Sequence, residues 1–184
     1  MRTRKPKGLK RVNYKIIDSK SDAGVRLYGI LHDLVVKFHP ELSHARIALA
    51  WALGWKSDVD GRVTLGRMKK ASDLDRELVP YDFILLLSRT FVEDATVSDA
   101  QRTALIDHEL CHATIKLDKT GEPELDERDR RMYRLRKHDL EEFSEIAERH
   151  GCWKRDIEHF AVSLRRSPQT NLPLEGREPL KKTA

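Results

Sequence analysis

Cysteine is almost missing from this chain: Cys111 and Cys152 are the only two among 184 residues. Two thiols cannot build the multi-bridge framework that holds small secreted domains together. Long apolar runs are missing too. The longest, Ile47 to Gly54 and Phe83 to Leu87, fall far short of the roughly 20 residues that span a bilayer. The first 15 residues lack any acidic side chain while carrying Arg2, Arg4, Lys5, Lys7, Lys10, Arg11 and Lys15, and no apolar stretch follows to make a signal peptide. These absences predict a thiol-reducing, cytoplasmic setting with no membrane contact.

What is present is charge of both signs. Asp, Glu, Lys and Arg make up 35% of the chain and leave a formal net charge of +5, which suits a solvated, mildly basic surface. The length allows one domain with a real core. The expected division is a disordered basic arm over residues 1–15, a single domain over 16–166, and a loose polar tail over 167–184 containing the last three prolines.

Periodicity assigns the elements of that domain. Val25, Leu27, Ile30, Leu31, Leu34 and Val35 recur at helical steps between Asp22 and Phe38, ahead of Pro40. Ala45 to Trp55 reads as a strand, Asp60-Gly61 as a hairpin turn, and Arg62 to Met68 as the returning strand. Tyr81 to Arg89, with Ile84-Leu85-Leu86-Leu87, reads as a third strand. Ser98-Asp99-Ala100-Gln101 has the spacing of a capping box and opens a helix running to about Leu117. A charged connection over 118–137, with a short strand near Met132 to Leu135, separates this helix from two more, His138 to Gly151 and Lys154 to Arg165. The fold class that follows is α+β, with a small, mostly antiparallel sheet of about three strands packed by helices.

The second of these helices carries His108-Glu109-Leu110-Cys111-His112. Residues i and i+4 of a helix share a face, so His108 and His112 can aim ring nitrogens at one ion, about 2.0–2.1 Å from zinc. Glu109 then stands beside the water-occupied position of that ion, as a general base. The bland alternative is a pair of exposed histidines bonded to Asp107 and Glu109. The apolar surroundings, Leu105, Ile106 and Leu110, argue instead for buried imidazoles that need a partner. Cys111 is expected to be a small core residue rather than a ligand.

A catalytic zinc takes three protein ligands. For the third, His138, Asp139, Glu141 and Glu142 are available. Leu140, Phe143, Ile146 and Ala147 form the apolar face of that segment, leaving Asp139 at its edge. Ligand preference favours His138 as a neutral nitrogen donor, with Asp139 and Glu142 as alternatives.

His108-Glu109-Leu110-Cys111-His112-Ala113, followed by Lys137-His138-Asp139-Leu140-Glu141-Glu142-Phe143 and by Arg149-His150-Gly151-Cys152-Trp153, resembles the phage metallopeptidase family, a group similar to the SprT-like zincins. The likeness runs from about Ala45 to Trp153. It implies a zincin-like fold, zinc held by His108, His112 and His138, and Glu109 as the base. SprT-like proteins carry His-Gly-x-x-Phe at the third ligand, where this chain has an extra residue and no glycine; aligned on Phe143, Asp139 takes the ligand place.

The expected function is zinc-dependent hydrolysis of a peptide or protein substrate lying extended along a sheet edge, which is one of the three strands. Two alternatives use the basic arm: a nucleic-acid-associated adaptor with structural zinc, and a SprT-like protease acting on DNA-bound proteins. Glu109 separates them, because a structural zinc has no use for a base beside it.

Overall fold

The computed structural model describes residues 13–141, 144–153 and 155–167. In chain order these form β1 (Tyr14–Ile16), α1 (Asp22–Phe38), a 3-10 turn (Pro40–Leu42), β2 (Ile47–Ala52), β3 (Gly66–Lys70), α2 (Asp73–Leu78), β4 (Phe83–Ser88), α3 (Arg89–Val92), α4 (Asp99–Cys111), β5 (Ala113–Ile115), β6 (Tyr133–Leu135), α5 (Ser144–His150) and α6 (Arg155–Arg166). None of the helices among these residues is long and apolar enough to cross a membrane.

The main sheet has four strands in the order β1-β2-β4-β3. Strand β2 runs antiparallel to β1 and parallel to β4, and β4 runs antiparallel to β3. The expected hairpin between the second and third of these strands in sequence is therefore corrected. The Asp60-Gly61 turn exists, with Gly61 at φ 78° and the Asp58 carboxylate accepting the Asp60 and Arg62 N–H groups, but it closes a loop and not a ladder. The reason lies in burial. Strand β4 presents Phe83, Leu85, Leu86 and Leu87, all buried, and so takes a covered central place. Strand β3 carries exposed Arg67, Lys69 and Lys70 and takes the edge. At the other edge, β1 brings Tyr14 and Lys15, assigned above to the basic arm, into the sheet opposite Ala52 and Trp51.

The core lies between one face of this sheet and α1 with α4. Ile47, Leu49 and Trp51 of β2 and Phe83, Leu85 and Leu87 of β4 alternate onto that face in register, joined by Met68 of β3. Leu27, Leu31 and Leu34 of α1 and Ile106 and Leu110 of α4 meet them. Both helices begin at serine caps: Ser21 Oγ accepts the Gly24 N–H, and Ser98 makes the expected reciprocal box with Gln101. Buried Arg102 fixes the start of α4 by donating to the Val92 and Asp94 carbonyls, both at 2.8 Å.

Helix α4 stops six residues before the expected Leu117, with His112 as its C-cap. The His112 carbonyl accepts the Arg136 N–H at 2.9 Å and opens the β5–β6 hairpin, into which β-branched Thr114 and Ile115 fit better than into a helix. Tyr133 of β6 packs edge-on to Phe83 with ring centroids 5.2 Å apart, anchoring the hairpin to the sheet. Farther out, Arg76 of α2 donates to the Arg131 carbonyl and pairs with Asp82 at 3.0 Å, and Arg130 reaches Glu77 and Asp126. The expected helix from His138 begins at Ser144; residues 138–141 are irregular backbone. Glu142 and Phe143 lie outside the described residues, as do residues 1–12 and 168–184.

Candidate metal centre

Three imidazoles meet where the end of α4 faces the strand that follows it. His108 sits in the last turn of α4, His112 caps it, and His138 comes from the irregular stretch after β6. Their ligand atoms all lie within 4.8 Å of one another, and His138 Nε2 stands 3.1 Å from His108 Nε2. The His112 Nδ1–H donates to the Arg136 carbonyl at 2.9 Å, which turns Nε2 toward the other rings as a free lone pair. Partial burial, above all, pushes the His108 imidazole below its ordinary value. The Glu109 charge opposes that shift, while His112 and His138 add to it. His108 is therefore neutral near pH 7, the form that donates to a metal.

Of the candidates for the third position, the structure brings His138 to the other two histidines. Asp139 is exposed and turned to the Arg136 guanidinium at 3.1 Å, and Glu141 lies exposed on the irregular stretch. Nothing is described for Glu142. The burial expected of the histidines is corrected: His108 and His138 are exposed and His112 half-buried, because this face of α4 looks into an open cleft and not into the core. Cys111 is likewise exposed.

Glu109 is the buried member, 5% exposed. Its Oε2 accepts the Met68 N–H of β3 at 2.7 Å. The carboxylate reaches that far only because residue 66 has no side chain: a Cβ on Gly66 would stand 2.6 Å from Glu109 Oε1 and 2.8 Å from its Cγ. Neither Gly66 nor the Met68 N–H was visible as a site group in the sequence. An isolated glycine at the start of a strand pattern is the one signal for a close approach.

A cleft of about 700 Å³ connects these parts. It is lined on one side by Leu65, Gly66 and Met68, on the other by Ala104, Leu105 and His108, and closed by Phe91 and Leu135. Its walls are mostly apolar, with the three imidazoles and Glu109 as convergent polar groups, the composition of a substrate site.

Residues 22–161 match the family model described as "Putative phage metallopeptidase". The chain belongs to this family. Comparison with curated proteins and with solved structures returned no match. Family membership implies a metal, and the residues fit one. Three imidazole nitrogen donors converge on one point, and one ring is already oriented by a backbone carbonyl.

Proposed function

We propose that this phage metallopeptidase uses zinc, held by His108, His112 and His138, to hydrolyse peptide bonds, with Glu109 as the general base. The observation that carries the reading is a buried carboxylate beside three convergent imidazoles on the wall of an apolar cleft. When bound, zinc supplies Lewis acidity and lowers the pKa of a coordinated water toward about 7. Three imidazoles, with no cysteine among them, match the open ligand set of a catalytic site better than the closed set of a structural one.

The chain's own residues do the rest. Glu109 holds an acceptor oxygen next to the imidazoles and is fixed by the Met68 N–H, so its free lone pairs are aimed before substrate arrives. At the two ends of the β3–β4 ladder, the Leu65 carbonyl accepts the Ser88 N–H and the Ala71 N–H donates to the Asp82 carbonyl. By the alternation of an antiparallel pair, the backbone groups of Gly66 and Met68 then face away from β4. With the Met68 N–H taken by Glu109, the Gly66 N–H and the Gly66 and Met68 carbonyls are among the open groups of this edge. An extended peptide pairing with them lies along β3 with its side chains against Leu65, Phe91 and Leu105. Of the three strands that sequence leaves open for this role, β3 is the edge strand that borders the imidazoles.

The test is metal analysis of purified protein together with cleavage of a denatured protein mixture, before and after chelation. About one zinc per chain at the histidines, with activity lost on chelation and restored by zinc, is expected. Protein that binds no transition metal, or cleavage indifferent to chelation, overturns the reading.

A further inference from the structure

A second group of donors lies on the same helix, outside the three-histidine centre. Asp107 and Cys111 are one turn apart on α4, on the face turned toward the end of α1. There His39, the C-cap of α1, brings in a third donor, and the ligand atoms of His39, Asp107 and Cys111 all lie within 4.8 Å of one another. His39 is buried, 7% exposed, and its Nε2 stands 2.7 Å from Asp107 Oδ1. Glu41 Oε1 lies 3.8 Å from the other ring nitrogen, Nδ1. Asp107, Asp139 and Glu41 place negative charge near the Cys111 sulfur, partly offset by the Arg136 guanidinium.

We propose that His39, Asp107 and Cys111 form a second binding site, for zinc or another thiophilic first-row divalent ion, distinct from the three-histidine centre. Imidazole, carboxylate and thiolate together suit such an ion and do not suit magnesium or calcium, which select oxygen. In the metal-free chain the His39 Nε2–H donates to Asp107 Oδ1 across 2.7 Å. A divalent ion replaces that proton once the sulfur joins as third donor, with the donors opening to the ~3.3 Å spacing of a tetrahedral zinc site. Binding displaces the thiol proton of Cys111, while the His39 ring proton moves from Nε2 to Nδ1 beside Glu41, so about one proton leaves per ion. The negative surroundings attract the cation, and the exposed sulfur gives it a route in. Glu41 is placed to hold the His39 ring from behind, as a carboxylate behind a metal-bound histidine does. Occupancy would pin the end of α1 to α4 one residue before each of the two helix histidines of the first centre.

The experiment is titration of the metal-free full chain with Co²⁺, read by absorption, since cobalt bound to a thiolate gives a near-ultraviolet charge-transfer band that nitrogen ligands do not. About two equivalents bind to wild type, one of them raising that band. Cys111→Ser, at an exposed position, removes the band and weakens one equivalent by more than about 100-fold, leaving the other intact. His39→Gln does the same, and Cys152→Ser changes neither. A band that survives Cys111→Ser or His39→Gln overturns the proposal, and so does wild-type protein without any band. Failure of the three-histidine reading looks different: one equivalent remains, it carries the thiolate band, and it depends on His39.

Discussion

The carboxylate of Glu109 accepts the backbone N–H of Met68 at 2.7 Å, across 41 residues of sequence. The strand proposed to bind substrate thus also holds the base, so the edge that would hold the peptide fixes the group that would take the proton of the attacking water. Glu109→Gln keeps the shape and an acceptor oxygen for Met68 but removes basicity. Cleavage by metal-matched protein is expected to fall by roughly 10²- to 10⁴-fold, with zinc content and melting temperature nearly unchanged. Undiminished cleavage removes Glu109 from the mechanism.

Gly66→Ala tests the space that Glu109 occupies. The added Cβ would stand 2.6 Å from Oε1, 2.8 Å from Cγ and 2.9 Å from Cδ, so the carboxylate must leave Met68. The loss of stability is expected to be about 1–3 kcal/mol, as for other overpacked sites. Activity should fall by at least about tenfold, in proportion to the loss of aim, while zinc stays bound. Wild-type turnover in this variant would show that the Met68 contact does not position the base.

The third ligand is separable from its neighbour. His138→Ala should weaken zinc binding by more than about 100-fold, whereas Asp139→Ala, which frees the Arg136 guanidinium, should stay within the roughly 10- to 100-fold of an indirect effect. Equilibrium competition against a chromophoric chelator measures both. The reverse ranking moves the ligand to Asp139.

Acid should loosen the hairpin that carries His138. Burial works against the Asp126 charge, but the Arg130 and Arg128 backbone N–H groups and the Arg130 guanidinium lower its pKa to about 2. Asp82 is also lowered: burial opposes ionisation and Arg46 and Arg76 outweigh it. Folded values below unfolded ones mean that the stabilisation is complete above about pH 4 and is lost as pH falls toward 2. Urea midpoints should drop over that window, and the drop should be shallower in Asp126→Asn.

Deleting residues 1–12 removes Arg2, Arg4, Lys5, Lys7, Lys10 and Arg11, six cations that precede β1. Fold and zinc content should persist. If the arm binds nucleic acid, its loss lowers the affinity and shrinks the log–log salt slope by up to about 5, near 0.9 per lost phosphate contact. Equal binding with and without these residues, across salt, would make the arm a solvated tail.

Much of this architecture was legible because its signals are local. The α1 stripe and the Ser98–Gln101 box fixed two helices, and the His108/His112 spacing fixed two of the imidazoles. Strand order was not legible: Asp60-Gly61 is a true turn, and nothing local says that the more apolar Phe83–Ser88 will insert between the strands on either side of it. The end of α4 was misplaced because Ala113 to Leu117 continues an apolar pattern, while its decisive partner, Tyr133 to Leu135, lies some twenty residues on. The seat of Glu109 was hidden for the same reason. A backbone N–H has no sequence signature.

The central place of β4 also sets an order of assembly. The β3 edge joins the sheet only through β4, α4 follows β4 in the chain, and His138 comes 30 residues after His108. The sheet and the seat of Glu109 are therefore encoded ahead of the segment that supplies His138. The three imidazoles come together only where the β5–β6 hairpin returns His138 to the end of α4.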